Sequence, residues 1–451
     1  MRLRRFIAGA LCAAAVLSTL FSASSPAAPA RMPTRRSPAA LAAGTDTPNA
    51  RQLMQRAREA YDRGDRAAFL KDTEEIARLR PGDVWVLYNL ACARSLNGQT
   101  GEAVAALESV AAHRVAMDLT GEKDFDAIRD TDGYRRVVAR MEALRKERID
   151  AGAAPAFTIP EKAVMAEGVA YDPSTKSFFV ASVHKGQIYR VGPDGRAAVF
   201  VPPGGGLRSP LGIAVDAKRR TLWVVSETIP NVNGGKEGDP PDSALFAYDL
   251  DGGRLRKRLA PPPSAKPPRF DDLGVAADGR VYVNDGGGGR IFTLAPGADA
   301  LELWLESDEM GGTQGLAPTP DGRTLYASDY RNLWRIDVAS KKLFRMAVPP
   351  DLALNGIDGL ALSDGRLAAI QNGIEPHRAI VLDLSADGAA IVRSRILVMN
   401  DPVLDEPTLG TIVGGVLYFS ANNQGHRFQD PKNPPKPDDL KDAVILRVPL
   451  R

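Results

Sequence analysis

The residues able to do chemistry in this chain fall into two sets, each with a regular setting. Glu167, Asp271, Gln314 and Asp358 stand just ahead of Gly168, Gly274, Gly315 and Gly359, and each of these glycines opens a short β-branched or apolar run. A second set, His184, Glu227, Asn284, Asp285, Asp329, Asn372 and Asn423, follows the next such run. Brought to one place, these carboxylates and amides make a polar site. His184 comes directly after the run FFVASV. An imidazole titrates near neutral pH, so it is a candidate proton shuttle, with a turn histidine of no special role as the alternative. His377 and His426 lie in loops with nothing to single them out. No Ser-His-Asp arrangement can be assembled from neighbouring motifs. The stretch Asp285-Gly286-Gly287-Gly288-Gly289 lies between strand-like runs and precedes no helix, which suits a tight turn better than a phosphate cradle.

The elements that must position these residues are short strands. After residue 150 the pattern becomes strand-like, with runs separated by Asp-Gly or Gly-rich turns. Six units open on Gly168, Gly212, Gly274, Gly315, Gly359 and Gly410, the clearest being GTQGLAPTPDGRTLYASDYRNLWRIDV at 312–338. Units of about 40 residues with several strands each are the blades of a propeller. The reading is therefore mainly β, a six-bladed β-propeller over 151–451. Residues before each innermost strand and after each second strand then collect at one mouth of the central channel. Two Pro-rich inserts, 229–243 and 424–442, follow second strands and should overhang that mouth. Blade six lacks an outermost strand of its own. The segment APAFTIP, Ala154 to Pro160, is expected to supply it and close the ring, so that no sheet edge is left open.

Residues 49–150 read as helical and repeat at 34 residues: Ala57 matches Ala91, Gly64 matches Gly98, Glu74 matches Glu108 and Ala77 matches Ala111. That is the tetratricopeptide period. Fewer than three clean copies fit, and so short an array offers either a peptide-binding groove for a protein partner or a packing adaptor. Residues 31–48 form an Ala/Pro/Ser/Thr-rich linker read as disordered. Residues 1–30 have the form of a signal peptide: Arg2, Arg4 and Arg5, an uncharged run over 6–21, then Ala28-Pro29-Ala30. The expected location is periplasmic or secreted. Leu11 ahead of Cys12 disfavours a lipid anchor, and Cys92 is expected to be buried packing. The apolar run is shorter than the roughly 20 residues that span a bilayer, which argues against an integral membrane protein. The net charge of +3 falls to zero once the three N-terminal arginines are removed, so there is no basic footprint for nucleic acid.

Residues 164–449 resemble the senescence-marker-protein/gluconolactonase/luciferin-regenerating family of six-bladed propellers, many of them metal-dependent lactone hydrolases. Glu167-Gly168 resembles the family's Glu-Gly at the start of blade one. Arg269-Phe270-Asp271-Asp272 resembles its Arg-x-Asn-Asp, Gln314-Gly315-Leu316 its Asn-Gly-Leu, and Asp358-Gly359-Leu360 its Asp-Gly-Leu. The resemblance implies a divalent metal on Glu167, Asp271, Gln314 and Asp358. These hard oxygen donors suit Ca²⁺ first, with Mg²⁺ or Mn²⁺ as alternatives. Asp271 and Gln314 each replace the family's Asn, one adding charge and the other a methylene. The resemblance further implies a small-molecule lactone or ester substrate and Asp358 as general base. Arg269, whose planar fork pairs well with oxygen groups, and the mouth amides Asn372 and Asn423 are the candidate substrate-binding residues. The alternative from another class is a non-catalytic module that binds a protein or glycan. A condensing enzyme of strictosidine-synthase type on the same fold has no motif of its own here.

Overall fold

The computed structural model describes residues 50–236, 238–430 and 433–451. The expected signal peptide, the linker and Cys12 lie outside the described residues. Five α-helices come first: α1 (Ala50–Asp62), α2 (Arg66–Leu79), α3 (Val84–Leu96), α4 (Thr100–Ala112) and α5 (Asp132–Lys146). Gly64 turns α1 into α2 and Gly98 turns α3 into α4, each at φ +75°, a conformation that L side chains avoid. The matched Ala57 and Ala91 are buried where paired helices meet. Asp65, Asp83 and Thr131 cap α2, α3 and α5 by accepting first-turn amides, each cap stabilising by about 1 kcal/mol. Cys92 is buried in α3, and burial pushes its thiol well up, so it is packing and not a reactive group.

The rest of the described chain forms six antiparallel sheets. Their innermost strands are Ala166–Asp172, Ser209–Asp216, Phe270–Val275, Leu316–Pro318, Ile357–Ser363 and Gly410–Val413. The six glycines lie in these strands or directly ahead of them. Five of them mark where neighbouring blades nearly touch. A Cβ on Gly168 would sit 2.5 Å from the Leu211 carbonyl of the next blade, and one on Gly315 would sit 2.6 Å from the Leu360 nitrogen. Only glycine allows that approach. Blade six ends as expected: Ala154–Ile159 pairs with Ala443–Pro449 as its outermost strand, tying the start of the ring to its end. The two residues Ile149–Asp150 add a fifth strand to blade five by pairing with Met399 and Val398, a feature absent from the sequence reading.

The helices dock on blades four and five, on the mouth side. Their apolar cluster continues into Tyr330, Ala353 and Ile374 of the propeller. At the N-terminus of α3, Asp83 pairs with Arg331 at 3.1 Å. It also accepts from Asn355 Nδ2 at 2.8 Å. Further on, Ala116 N donates to the Glu375 carbonyl and Arg378 Nη1 to the Arg114 carbonyl, both at 2.8 Å.

Candidate functional site

Regular pleating would point successive side chains of an innermost strand to alternate faces. Instead, the register of four innermost strands shifts at the site: between Ala166 and Val169, Pro210 and Ile213, Phe270 and Leu273, and Ile357 and Gly359. The skipped residues include Glu167, Leu211, Asp271 and Asp358. A bulge re-aims a side chain and ends regular pairing, and here it turns these residues toward the channel mouth. They line one cavity of about 90 Å³ with Glu227, Glu406, Thr408 and Asn423. Ile229 and Val232 of the first insert and Gly425 and Gln429 of the second complete the wall, so both inserts overhang this mouth.

Asn423 Nδ2 donates to Glu167 Oε2 at 2.6 Å and to the Ala166 carbonyl at 3.0 Å. Asn372 Nδ2 donates to Asp358 Oδ2 at 2.6 Å. The two amides expected to bind substrate therefore hold the carboxylates in place. Arg269 Nη2 donates to Glu227 Oε1 at 2.8 Å, so its charge is committed to a neighbouring acid. Gln314 is buried beside Gly286, outside the residues lining the cavity. His184 likewise stays off the wall. It packs on Phe428 at 4.8 Å between ring centroids, and burial, then Lys185, lowers its pKa, leaving a neutral ring. Asn284, Asp285 and Asp329 are absorbed structurally: Asn284 Oδ1 accepts from Asp271 N and Asp272 N, Asp285 pairs with Arg290 at 2.6 Å, and Asp329 accepts from Trp334 Nε1 at 2.8 Å.

Sequence reasoning missed Glu406, which lines the cavity. Glu406 lies ahead of the innermost strand of blade six, the position that marked the other acids, but no polar-Gly pair flags it. It accepts from His426 N at 2.8 Å and Nδ1 at 3.3 Å.

Five acids around so small a space strain its electrostatics. Burial raises the Glu167 and Asp271 carboxyls well above the usual range, and like charge adds to it, from Asp358 and Asp271 on Glu167 and from Asp358 and Glu227 on Asp271. Asp358 is pushed up to about 7, chiefly by burial, against the opposing hydrogen bond from Asn372. Burial also raises Glu227, with Arg269 opposing. Among the described residues no three His, Cys, Asp or Glu side chains converge closely enough to hold an ion by themselves. The donor chemistry nonetheless suits a hard cation: buried, like-charged carboxylate oxygens need protons or a positive charge, and Glu227 Oε2 and Asn372 Oδ1 are buried without partners.

Residues 165–369 match the protein family described as SMP-30/Gluconolactonase/LRE-like region, in line with the resemblance read from the motifs. No curated protein sequence matches the chain. Among solved structures, a gluconolactonase from Xanthomonas campestris is 16% identical with a TM-score of 0.45, covering 68% of this chain and 97% of that one. Regucalcin from Agrobacterium tumefaciens, described as a calcium-binding protein, is 15% identical with a TM-score of 0.45, covering 66% and 95%. An aldose sugar dehydrogenase from Streptomyces coelicolor, in a PQQ-bound form, is 16% identical with a TM-score of 0.44, covering 66% and 98%. At such identities and scores these likenesses carry no argument about chemistry.

Proposed function

We propose that this protein is a hydrolase of lactones or related small esters, acting at the propeller hub with a divalent cation, Ca²⁺ first and Mg²⁺ or Mn²⁺ as alternatives. The observation that supports it is the gathering of Glu167, Asp271 and Asp358 around one enclosed cavity, within a region that matches the gluconolactonase-like family. Glu167, Asp271 and Asp358 would hold the cation, with Gln314 reaching it only after its side chain turns into the cavity. The cation would supply Lewis-acid polarisation of the substrate carbonyl. Asp358 would take the proton of the attacking water, a carboxylate held at the cavity by Asn372 being placed for a general base. Asn372 orients it, and Asn423 does the same for Glu167. Arg269 donates to Glu227 and fixes it beside them. The apolar residues Leu211, Ile229 and Val232 exclude bulk water.

The cationic leader, apolar run and small-residue site over 1–30 support export to the periplasm or beyond the cell. A second reading, a non-catalytic binding module, draws support from the size of the cavity. About 90 Å³ falls below the roughly 300 Å³ at which small-molecule pockets begin, so catalysis requires the inserts to open. A cavity of about 260 Å³ between α1, α2 and α3, reaching Arg331, is the place where a protein partner would seat.

The test is turnover of a panel of aldonolactones and short esters by purified protein stripped with chelator and then supplied with each cation, alongside Asp358→Asn. Cation-dependent hydrolysis that Asp358→Asn abolishes supports the hydrolase. No turnover with any cation leaves the binding module.

A further inference from the structure

The second insert leaves blade six at Gln424 and turns at once through Gly425–Phe428. Gly425 and Gln429 of this turn line the hub cavity, and Phe428 packs on His184. The turn therefore closes one side of the mouth. Two adjacent acids ahead of the innermost strand of blade six hold it there. Glu406 Oε2 accepts from His426 N at 2.8 Å and lies 3.3 Å from His426 Nδ1. Asp405 Oδ1 is 3.6 Å from His426 Nε2, and Asp405 Oδ2 pairs with Arg427 Nη2 at 3.2 Å. Glu406 itself lines the cavity, so the imidazole joins the overhanging turn to a wall of the site.

Charge at this joint balances only when the ring is protonated. Asp405 and Glu406 bring two negative charges and Arg427 brings one positive. A neutral ring that donates from Nδ1 to Glu406 turns a lone pair on Nε2 toward Asp405. An imidazolium presents N–H to both acids, and its bonds to them are charge-assisted. The hydrogen bond to Glu406 accordingly raises the His426 pKa above its ordinary value; burial opposes this, the charges of Glu406 and Asp405 add to the rise, and Arg427 reduces it. His377, in the loop after the second strand of blade five, is the other titratable group in electrostatic reach, and burial lowers its pKa, leaving that ring neutral.

We infer that His426 is a proton-operated latch: as imidazolium it pins the second insert to Asp405 and Glu406 and keeps the hub cavity closed, and on losing its proton it frees the turn to open. The closing contribution is fully present below the ordinary histidine value of about 6.5 and is lost as pH rises through the raised value of the closed state. The hub therefore admits its ligand more readily on the alkaline side. This holds whether the ligand is hydrolysed or only bound, because a cavity of about 90 Å³ has to open for either.

The test is hydrogen exchange, read by mass spectrometry on the peptide that carries residues 425–430, in full-length wild type, His426→Gln and Glu406→Gln in chelator at pH 6 and pH 9, with melts to check folding. Comparing variant with wild type at one pH cancels the intrinsic chemistry of exchange. With 42% of the His426 side chain exposed, the gain from its charge is that of a half-screened ion pair, so the turn should exchange about three- to fivefold faster in His426→Gln at pH 6. At pH 9 the two should agree, and Glu406→Gln should behave like His426→Gln at both. Equal exchange at pH 6 would overturn the latch, and so would the same acceleration at both pH values, which would trace the loosening to lost packing. The chain has four histidines, so the His426 ring proton in an NMR titration is identified by its loss in His426→Gln. Its midpoint should lie above about 6.5 in wild type and fall in Glu406→Gln. A midpoint at or below that value in wild type would sink the inference. None of these readouts uses turnover, so the latch and the hydrolase stand or fall separately.

Discussion

Replacing Asp358 by Asn should stabilise the cation-free protein, and the size of the gain follows from the burial of this carboxylate. Its affinity for a proton rises from an ordinary 3.8 to about 7 in the folded chain. Between those values the native state holds more protons than the unfolded chain, so stability falls as pH climbs through that window, and the whole penalty is present above 7. At about 1.4 kcal/mol per tenfold change, the penalty is about 4 kcal/mol, a large share of the roughly 5–15 kcal/mol that keeps a protein folded. Asn occupies the same space, and its Oδ1 can still accept from Asn372. Denaturant unfolding in chelator should therefore show Asp358→Asn more stable than wild type at pH 8 by up to about 4 kcal/mol. Near pH 4 the two should be almost equal. Saturating Ca²⁺ should reverse the order at pH 8, since only the wild type regains a charge partner. A gain of equal size at both pH values would show that repacking is responsible and refute the electrostatic account. A loss at pH 8 in chelator would show that Asp358 has a cation partner of its own within the protein.

Other perturbations test other parts of the structure. Gly168→Ala drives a Cβ into the Leu211 carbonyl and should cost about 1–3 kcal/mol or more, read as a lowered melting temperature with the helical CD signal retained. Replacing Ala154–Ile159 by a Gly/Ser linker uncovers the edge of Ala443–Pro449 and should convert a monodisperse protein into aggregates by light scattering. Asp172 is buried, which alone would raise its pKa, but Thr175, the Ser174 amide and Arg220 outweigh this and lower it. Asp172→Asn should therefore destabilise at pH 7 by about 2 kcal/mol, with the difference fading only as pH drops below the ordinary carboxylate value of about 3.9. Arg269→Met leaves Glu227 without its partner and should lower kcat/KM for any substrate found while raising the pH at which the acids ionise, visible as a shifted pH profile.

What the sequence determined by itself is whatever local geometry writes into residue order. The strand period and the six spaced glycines mark the blades, because at five of them the innermost strands of neighbouring blades pack so closely that a Cβ has no room, and at Gly410 its own hairpin leaves none. The 34-residue repeat shows the helix hairpins, because Gly64 and Gly98 must take a backbone that other residues resist. Acids ahead of innermost strands were legible for the same reason, as were the strand from Ala154 that closes the ring and the two inserts beside the mouth. What a set of oxygen-bearing side chains does with its neighbours was decided only by the tertiary structure. Bulges chose which of them face the cavity, placing Asp271 on it while Gln314 stays off. Asn372 and Asn423 turned out to serve acids on neighbouring strands or blades, and His184 went to Phe428. Glu406 joined the hub without a motif, and Asp83 of the helices reached Arg331 and Asn355, far away in the chain. Periodicity records how a residue sits on its own element. The meeting of residues tens to hundreds of positions apart comes from ring closure and docking, which no local pattern records.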